Sequence, residues 1–453
     1  MTQTTRIIER FLLAVTLLVL VWLPIPLGSN RDWSAGLLVL LIGGLGIIWV
    51  IGQWREGAVQ PSRNNALKAA LPLLTLLLLC QVWVAGQWLG QLSMDTGSTF
   101  QYLVLGLAYS LLFFLVVSLF HTRKRLSLLL ATLVVSGTFQ AFWGAWMTLS
   151  GIEWLLLTPK TSYVGDATGT FVNRNHLAGY LEMTLACGIG LLLALRDNRP
   201  FSWLNLLELL MGSKARLRLA LVVMVIALVM THSRMGNSAF FISLLLVGGI
   251  FVLLEKQHRL RNTLILASII LVDMLVISQY FGLEKLKDRV LNTRFTDVVI
   301  NGEVVQQANE RRDDVFGYAI PLLKERPFIG QGAGSFEAVF PKYPGEDIRL
   351  HFDHAHNDYI QFAIEFGLLG STPLLAFVLL ALWYALKSIW RRDSVYRSGV
   401  GFGAAVGIIA LLIHSSTDFN LQIPANAATL VVLCAIAVLA NSHSNPLIPR
   451  MAT

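Results

Sequence analysis

The hydrophobic positions of this chain fall into long uninterrupted runs separated by short polar segments. A helix needs about 20 predominantly apolar residues to cross a hydrocarbon core roughly 30 Å thick. The pattern therefore predicts an all-α, polytopic membrane protein with about twelve transmembrane helices. The predicted spans are 8–27, 35–53, 66–85, 100–120, 126–149, 176–195, 217–233, 237–254, 263–281, 360–389, 399–416 and 425–440.

One polar interruption is much longer than the others. Residues 282–355 separate the ninth predicted span from the tenth. The chain is thus divided into 1–281 with spans one to nine, 282–355 as a large loop, and 356–453 with spans ten to twelve and a tail. Spans seven and eight are joined by a very tight turn, "THSRMGN". The first run follows Arg6 and Arg10 without a small-residue cleavage site, which favours a first span over a signal peptide.

The positive charges predict the orientation. With the N-terminus in the cytoplasm, all but four of the lysines and arginines outside the 282–355 loop fall on the cytoplasmic side. Lysine and arginine collect in cytoplasmic loops, whereas long loops cross the membrane largely regardless of charge. Both termini are therefore predicted to be cytoplasmic. The segment 173–176, Arg234, the 282–355 loop and Asp418 then share the external face.

Composition narrows the class of protein. Residues are 55% hydrophobic and only 14% charged, well below the roughly 25% charged residues of soluble chains. The net charge of +8 is explained by the cytoplasmic loops, so a nucleic-acid partner is not expected. Cys80, Cys187 and Cys434 lie inside apolar runs, which argues against a disulfide framework and against a thiolate metal site.

The large loop contains two recognisable segments. "RRDDVFGYAIPLLKERPF" places apolar residues at helical spacing and predicts an amphipathic helix. That helix could lie along the membrane surface or pack on the rest of the loop. "GQGAGSF" lacks the βαβ surroundings of a dinucleotide fingerprint and favours a tight turn whose backbone approaches a ligand or a neighbour.

Arg234 stands between two apolar runs with no acidic neighbour in sequence. It could be an interfacial arginine whose charged end reaches the membrane surface. Alternatively it binds an anion, since a guanidinium pairs two phosphate oxygens at once and stays charged in apolar surroundings.

The stretch "HFDHAHNDY", residues 351–359, offers several polar groups immediately before span ten. Its histidines could ligate a metal, act as acid/base or substrate-binding groups, or be structural. The following residues read as a helix that Asn357 or Asp358 would cap, placing His356 at the external mouth of a span. This position favours a general base over a metal ligand. Asp353 and Asp358 would then be supports.

The segment "HSSTDFNLQIPANA" forms the external connection between the last two predicted spans. Asp418 in this loop could orient a base, pair with an arginine, or serve only a capping turn. Taken together, arginines for an anion and a histidine for a base suit a lipid-linked diphosphate donor and a hydroxyl acceptor at headgroup depth.

Five segments, in this order along the chain, resemble the O-antigen ligase and polymerase superfamily of bacterial inner membranes. They are "TFVNRNHLAGYL" (170–181), "THSRMG" (231–236), "RPFIGQGAGSF" (326–336), "HAHNDYIQFAIEFGLLG" (354–370) and "TDFNLQIPANA" (417–427). The fourth is fairly specific, and the resemblance covers residues 160–430. One departure is Met235, where the family often has glycine.

The resemblance implies an inverting, metal-independent transfer of a glycan from undecaprenyl diphosphate to a sugar hydroxyl, in a GT-C-like fold. Arg234 would hold the diphosphate, His356 would serve the acceptor, and Arg312 would be a second anion contact. Further substrate-binding candidates are Asn173, Arg174, Asn175, Asn357 and Asp418. The implied partners are the lipid-linked glycan, a lipid A core or growing polysaccharide acceptor, and the bilayer. No cofactor is implied, and the site would face the periplasm.

Several activities share these motifs. The chain could be a ligase that joins a finished polymer to lipid A core, a polymerase of repeat units, or a protein O-oligosaccharyltransferase. A flippase or transporter would predict internal repeats and charged residues at mid-membrane, for which only Asp273 in span nine gives a sign. A non-catalytic scaffold would not need Arg234 and His356 on one face.

Overall fold

Most of the chain is helical. The structure, a computed structural model, describes residues 3–54, 65–195, 213–254, 298–300, 303–306, 312–343, 352–392 and 394–442, with four further positions between 259 and 267. The helices before the large loop are α1 Gln3–Trp22, α2 Asp32–Trp54, α3 Asn65–Leu89, α4 Thr96–Leu119, α5 Arg123–Ser150, α6 Arg174–Ala194, α7 Ser213–Met230 and α8 Arg234–Leu254. The later helices are α9 Arg312–Glu325, α10 Phe336–Val339, α11 Asp358–Arg391, α12 Val395–His414 and α13 Pro424–Ser442.

The predicted fold class is confirmed. In the described part of the chain, nine helices are long and apolar enough to cross a membrane, namely α2 to α6, α8 and α11 to α13. α1 and α7 coincide with two further predicted spans. The remaining prediction, 263–281, and Asp273 within it lie outside the described residues apart from isolated backbone positions, so the number of spans stays a prediction. Two short strands, β1 Val298–Ile300 and β2 Glu303–Gln306, pair antiparallel in the large loop.

Helix α6 is the centre of the bundle, because its apolar span is buried along its whole length. It packs most extensively on α12. Glycines repeat every fourth residue on the facing side of α12, at 399, 403 and 407. A β-carbon on Gly190 of α6 would lie 2.8 Å from the Gly403 Cα. The small residues thus bring the two backbones together, which is the usual means of close helix packing in a membrane.

Helix α11 is broken at Gly367, whose φ of 64° and ψ of 177° are essentially restricted to glycine. The break admits the 326–335 segment. A β-carbon on Gly330 would lie 2.4 Å from the Glu365 carbonyl oxygen, and one on Gly367 would lie 2.3 Å from the Phe328 carbonyl oxygen. The close backbone approach predicted for "GQGAGSF" is confirmed, and its partner is a neighbouring helix.

The break leaves carbonyl groups that need new partners, because the core of a bilayer contains no water. The glycine-rich segment supplies two of them. The Gln331 amide donates to the Ile364 carbonyl at 2.8 Å, and the Gly332 amide donates to the Glu365 carbonyl at 2.9 Å. Backbone hydrogen bonds therefore fasten the loop into the helix.

Two side chains of α3 complete the arrangement. The Trp83 indole donates to the Phe366 carbonyl at 2.8 Å. The Gln87 amide donates to the Ile329 carbonyl at 2.7 Å and to the Glu365 carbonyl at 2.9 Å. The first half of α11 is thereby held in a fixed direction by a helix more than 200 residues earlier in the chain.

The amphipathic helix of the large loop, α9, packs on protein. Val315, Ala319 and Leu322 on its apolar side are fully buried, in a cluster with Phe336 and Ile364. Of the two predicted placements, packing on the rest of the loop and on the start of α11 is the one observed. This cluster packs the loop against the first half of α11.

Candidate active site

The candidate site lies at the end of the bundle where α6, α8 and α11 begin and α12 ends. This end is called the external end, following the orientation predicted from charge. Its first part is built on α6. The Asn173 side chain caps this helix by accepting from the Asn175 amide at 2.8 Å. The next residue, Arg174, donates to a carboxylate oxygen of Asp166 at 2.7 Å.

Asp166 joins two of the predicted segments. One of its carboxylate oxygens binds Arg174, and the other contacts the ring of His232 in the turn between α7 and α8. The adjacent Ala167 amide donates to the Met230 carbonyl at 2.9 Å. Burial raises the pKa of the Asp166 carboxyl, but the His232 hydrogen bond and the Arg174 charge outweigh it, so the net pKa is lowered. Asp166 therefore stays ionised and ties α6 to the turn.

Arg234 is the first residue of α8, two residues beyond His232, and its side chain is exposed. The helix start packs tightly on α6, since a β-carbon on Gly236 would lie 2.7 Å from the Ala178 β-carbon. The glycine after Met235 therefore serves this close approach. Arg174 and Arg234 are therefore the first residues of two helices that pack on each other.

The second part of the site surrounds an aromatic ring. Phe419 is contacted by three histidines from two parts of the chain. Its ring centroid lies 4.6 Å from that of His176, 4.5 Å from that of His354 and 4.8 Å from that of His356. His176 comes from the first turn of α6, whereas the other two come from the segment before α11. One phenyl ring thus gathers three of the predicted external motifs.

Asp418 lies beside this ring and is fully buried. Its carboxylate is 3.7 Å from the His176 imidazole nitrogen and accepts from the Phe419 amide at 2.8 Å. The Asp418 carboxylate thus lies next to the His176 ring. Which of its three predicted roles it has stays a prediction.

The two histidines before α11 differ in environment. The Gln361 side-chain nitrogen lies 3.0 Å from His354 Nδ1, and because an amide nitrogen only donates, this ring nitrogen accepts. Burial lowers the pKa of His354 to about 4, so it is neutral at neutral pH. His356 is partly buried between Phe352 and Phe419, and its backbone has a positive φ of 50°. This left-handed conformation, uncommon for a residue with a side chain, turns the chain into α11.

The start of α11 is tied to the last external loop. Asn357 caps the helix by accepting from the Ile360 amide at 3.1 Å, as predicted, and donates to the Ser416 carbonyl at 2.7 Å. The buried Asp358 carboxylate accepts from the Ser415 hydroxyl at 2.8 Å and from the Leu421 amide at 3.1 Å. His356 is therefore carried by a first turn that is fixed on both sides.

A buried pair of titratable side chains lies deeper in the bundle. Nδ1 of His414 in α12 lies 2.7 Å from Oε1 of Glu182 in α6, within hydrogen-bond distance, and both side chains are almost fully buried. Nearby, Asn426 donates to the His176 carbonyl at 3.0 Å and to the Asn420 side chain at 2.9 Å. These groups link the floor of the site to the α6–α12 contact.

The structure thus brings His356, Asn357 and Asp418 together around Phe419. His176 joins this group to the preceding residues Asn173, Arg174 and Asn175. Asp166 in turn joins Arg174 to the turn before Arg234. The substrate-binding roles of all these residues stay predictions. Asn173 and Asn357 use their side-chain oxygens for helix capping. Arg312 begins α9, but its side chain lies outside the described residues, as does His351.

The sequence did not reveal four residues that hold the candidate site or the broken α11 in place: Asp166, Phe419, Gln87 and Glu182. Glu182 left a signal, because an acid inside an apolar span is costly and calls for an explanation. The other three lie in ordinary contexts, and only their partners distant in sequence reveal them. Among the described residues, no three His, Cys, Asp or Glu side chains are grouped so as to hold a metal ion.

Comparison with known proteins places this geometry in context. Residues 219–374 match the O-Antigen ligase family. The matched range contains Arg234, Arg312 and His356, whereas Asn173, Arg174, Asn175 and Asp418 lie outside it. A protein of Haemophilus influenzae, named only "Uncharacterized protein", is 27% identical over 179 residues, which cover 37% of this chain and 43% of that protein. The chain thus matches less than half of that relative's length.

Proposed function

We propose that this chain, whose residues 219–374 match the O-Antigen ligase family, transfers a glycan from undecaprenyl diphosphate to a sugar hydroxyl at the periplasmic face of a bacterial inner membrane. The observation that carries the proposal is the convergence at one end of the bundle of an arginine-bearing turn and a histidine-bearing helix start. An anion site and a base are what this reaction needs.

The arginines serve the donor. As the glycosyl bond to the diphosphate breaks, its electron pair leaves on a diphosphate oxygen, and negative charge grows there. Arg234, exposed at the start of α8, donates hydrogen bonds to two oxygens of the diphosphate. Arg174, held by Asp166, adds a second positive charge at the same end. The arginines thus stabilise the leaving group at the moment when it forms.

His356 serves the acceptor. The acceptor hydroxyl attacks the anomeric carbon from the side opposite the diphosphate, so the configuration inverts, and its proton passes to the His356 imidazole. The fixed first turn of α11 orients this ring, with Phe419 against one side of it. His354 and Asp358 shape the surroundings and take no proton from the substrate.

The test is transfer by the purified protein in lipid nanodiscs. A synthetic undecaprenyl-diphosphate glycan is supplied with either a lipid A core oligosaccharide or a second repeat unit as acceptor. We expect a glycosidic product whose anomeric configuration is inverted and whose yield is unchanged by EDTA. The acceptor that reacts distinguishes ligase from polymerase.

Two outcomes count against the proposal. Activity that disappears on chelation and returns with zinc or manganese would show that the reaction depends on a metal. Absence of any product with either acceptor, in a preparation that is monodisperse and binds the donor, would remove the glycan-transfer function altogether.

A further inference from the structure

A large apolar cavity of about 950 Å³ lies beside the candidate site. Its walls come from α2, α3, α4, α11 and α13, in their halves nearest the external end. Along α2 the lining runs from Asp32 to Leu40, which corresponds to a depth of about 12 Å at 1.5 Å per residue. That depth is close to one leaflet of a hydrocarbon core roughly 30 Å thick.

The cavity has a polar mouth and an apolar body. Asn30, Arg31 and Asp32 line the mouth, where the chain turns into α2. Below them most wall residues are aliphatic or aromatic, with Phe362 and Phe366 contributed by α11, and the amides of Gln81 and Gln101 are the polar exceptions on α3 and α4. Such a profile suits a long hydrocarbon chain whose polar head stays at the membrane surface, where Arg31 and Asp32 are both exposed.

The mouth adjoins the candidate site through direct contacts. Gln422 lines the cavity, accepts from the Tyr102 hydroxyl at 3.1 Å, and donates to the Asp358 carboxylate at 3.5 Å. Asp358 follows His356 and Asn357 at the start of α11. On the other side, Thr170 near the start of α6 donates to the Pro24 carbonyl at 2.7 Å, just before the mouth. The cavity is thus linked by hydrogen bonds to the first turn of α11, which follows His356, and its mouth adjoins the segment that leads to Arg174.

From this continuity we infer that the cavity holds the isoprenoid tail of the lipid-diphosphate donor, an inference that rests on the proposed function. Both the cavity and the bilayer are apolar, so the tail gains little hydrophobic free energy by entering. What the cavity supplies is van der Waals contact and a fixed position of the diphosphate relative to Arg234.

Gly36 offers a direct test. It lines the cavity, and a β-carbon built on it meets no atom within 4 Å, so Gly36→Leu adds side-chain volume at the cavity wall from a backbone position with open space. Gly43 on the same helix also has open space but does not line the cavity, which makes Gly43→Leu the matched control. The measurements are binding of undecaprenyl phosphate by native mass spectrometry and the KM for the donor glycan.

We expect Gly36→Leu to weaken undecaprenyl phosphate binding and to raise the donor KM roughly fivefold or more, through lost packing contacts. The acceptor KM and all values for Gly43→Leu should match the wild type. A farnesyl-linked donor, whose short tail fills little of the cavity, should be used equally well by the wild type and by Gly36→Leu.

The remaining outcomes separate the two proposals. If Gly36→Leu binds undecaprenyl phosphate and uses the donor as the wild type does, the tail site is wrong while glycan transfer stands. If Gly36→Leu instead loses bound phosphatidylglycerol alone, the occupant is a bilayer phospholipid and the inference is overturned. If the wild type transfers no glycan yet Gly36→Leu selectively loses undecaprenyl phosphate, the proposed reaction fails and the polyprenyl site stands.

Discussion

Substitution of a single side chain, Arg234, distinguishes an anion site from a membrane anchor. We expect Arg234→Lys to lose about 10- to 100-fold of the transfer activity, because an ammonium cannot grip two phosphate oxygens as a planar guanidinium does, and charge-assisted bonds contribute roughly 1.5–3 kcal/mol each. The measurement is donor turnover in nanodiscs at matched protein levels. Arg125→Lys, at the opposite end of the bundle beside Glu9, is the control. Full activity of Arg234→Lys would make Arg234 an interfacial anchor.

His356 and His354 are two residues apart but are expected to differ in effect. General-base catalysis typically contributes about 10²- to 10⁴-fold, so His356→Ala should lower transfer by that order while donor binding persists. His354→Ala should be milder, because His354 is already neutral and bonded to Gln361. Transfer assays and donor-binding assays on both variants check this. Equal losses in the two variants would point to a structural role for the whole segment.

Asp166 carries no chemistry in the proposed reaction and acts through Arg174 and His232. We expect Asp166→Asn to raise the KM for the donor severalfold and to leave the acceptor KM unchanged, because the arginine loses its charged partner. Asp95→Asn is the control: Asp95 caps α4, and losing a cap costs about 1 kcal/mol of stability. If both variants change the donor KM equally, the effect of Asp166 is one of general stability.

At the scale of the helix, the broken α11 depends on two glycines meeting backbone to backbone. Gly330→Ala and Gly367→Ala should each sharply lower the thermal stability in detergent, since each new β-carbon would lie within 2.4 Å of a carbonyl oxygen and each glycine has a positive φ. Gly317→Ala, on α9 with no atom within 4 Å of the new β-carbon, is the control. Thermal stability equal to that of the control would mean that the broken α11 does not require glycine at these two positions.

The break also explains why a 34-residue helix is compatible with one membrane crossing. At 1.5 Å per residue, α11 is about 51 Å long, well beyond a core of roughly 30 Å. The part before Gly367 belongs to the site and the loop, and the part after it crosses the bundle. Gln87 and Trp83 of α3 make this division possible by satisfying the freed carbonyls.

For the whole molecule, the orientation is the prediction with the widest consequences. The three native cysteines are buried, so they can be replaced and single cysteines introduced at exposed positions. We expect an impermeant thiol reagent added outside the cell to label Leu157→Cys, in the loop before α6, and to spare Lys124→Cys, at the start of α5. The reverse pattern would place the candidate site in the cytoplasm and contradict a periplasmic donor.

The sequence alone determined the features that depend on neighbours along the chain. A run of about 20 apolar residues predicts a span without knowledge of its partners, which is why the described helices coincide with the predicted spans. The Asn357 cap and the tight 231–233 turn were likewise readable, because the signal lies within a few residues. The grouping of Arg234, His356 and Asp418 on one face followed from counting spans between them.

Only the tertiary structure decided how those groups are held. Asp166 and Phe419 look ordinary in sequence, because their importance lies in partners from segments far away in the chain. Gln87 gives no local sign that it completes a helix broken 280 residues later. The cavity at Gly36 has no sequence signature either, since its walls come from five helices and its apolar wall residues would suit a lipid-facing span equally well. Space between helices is a property of their packing, and the order of apolar residues along one helix does not encode it.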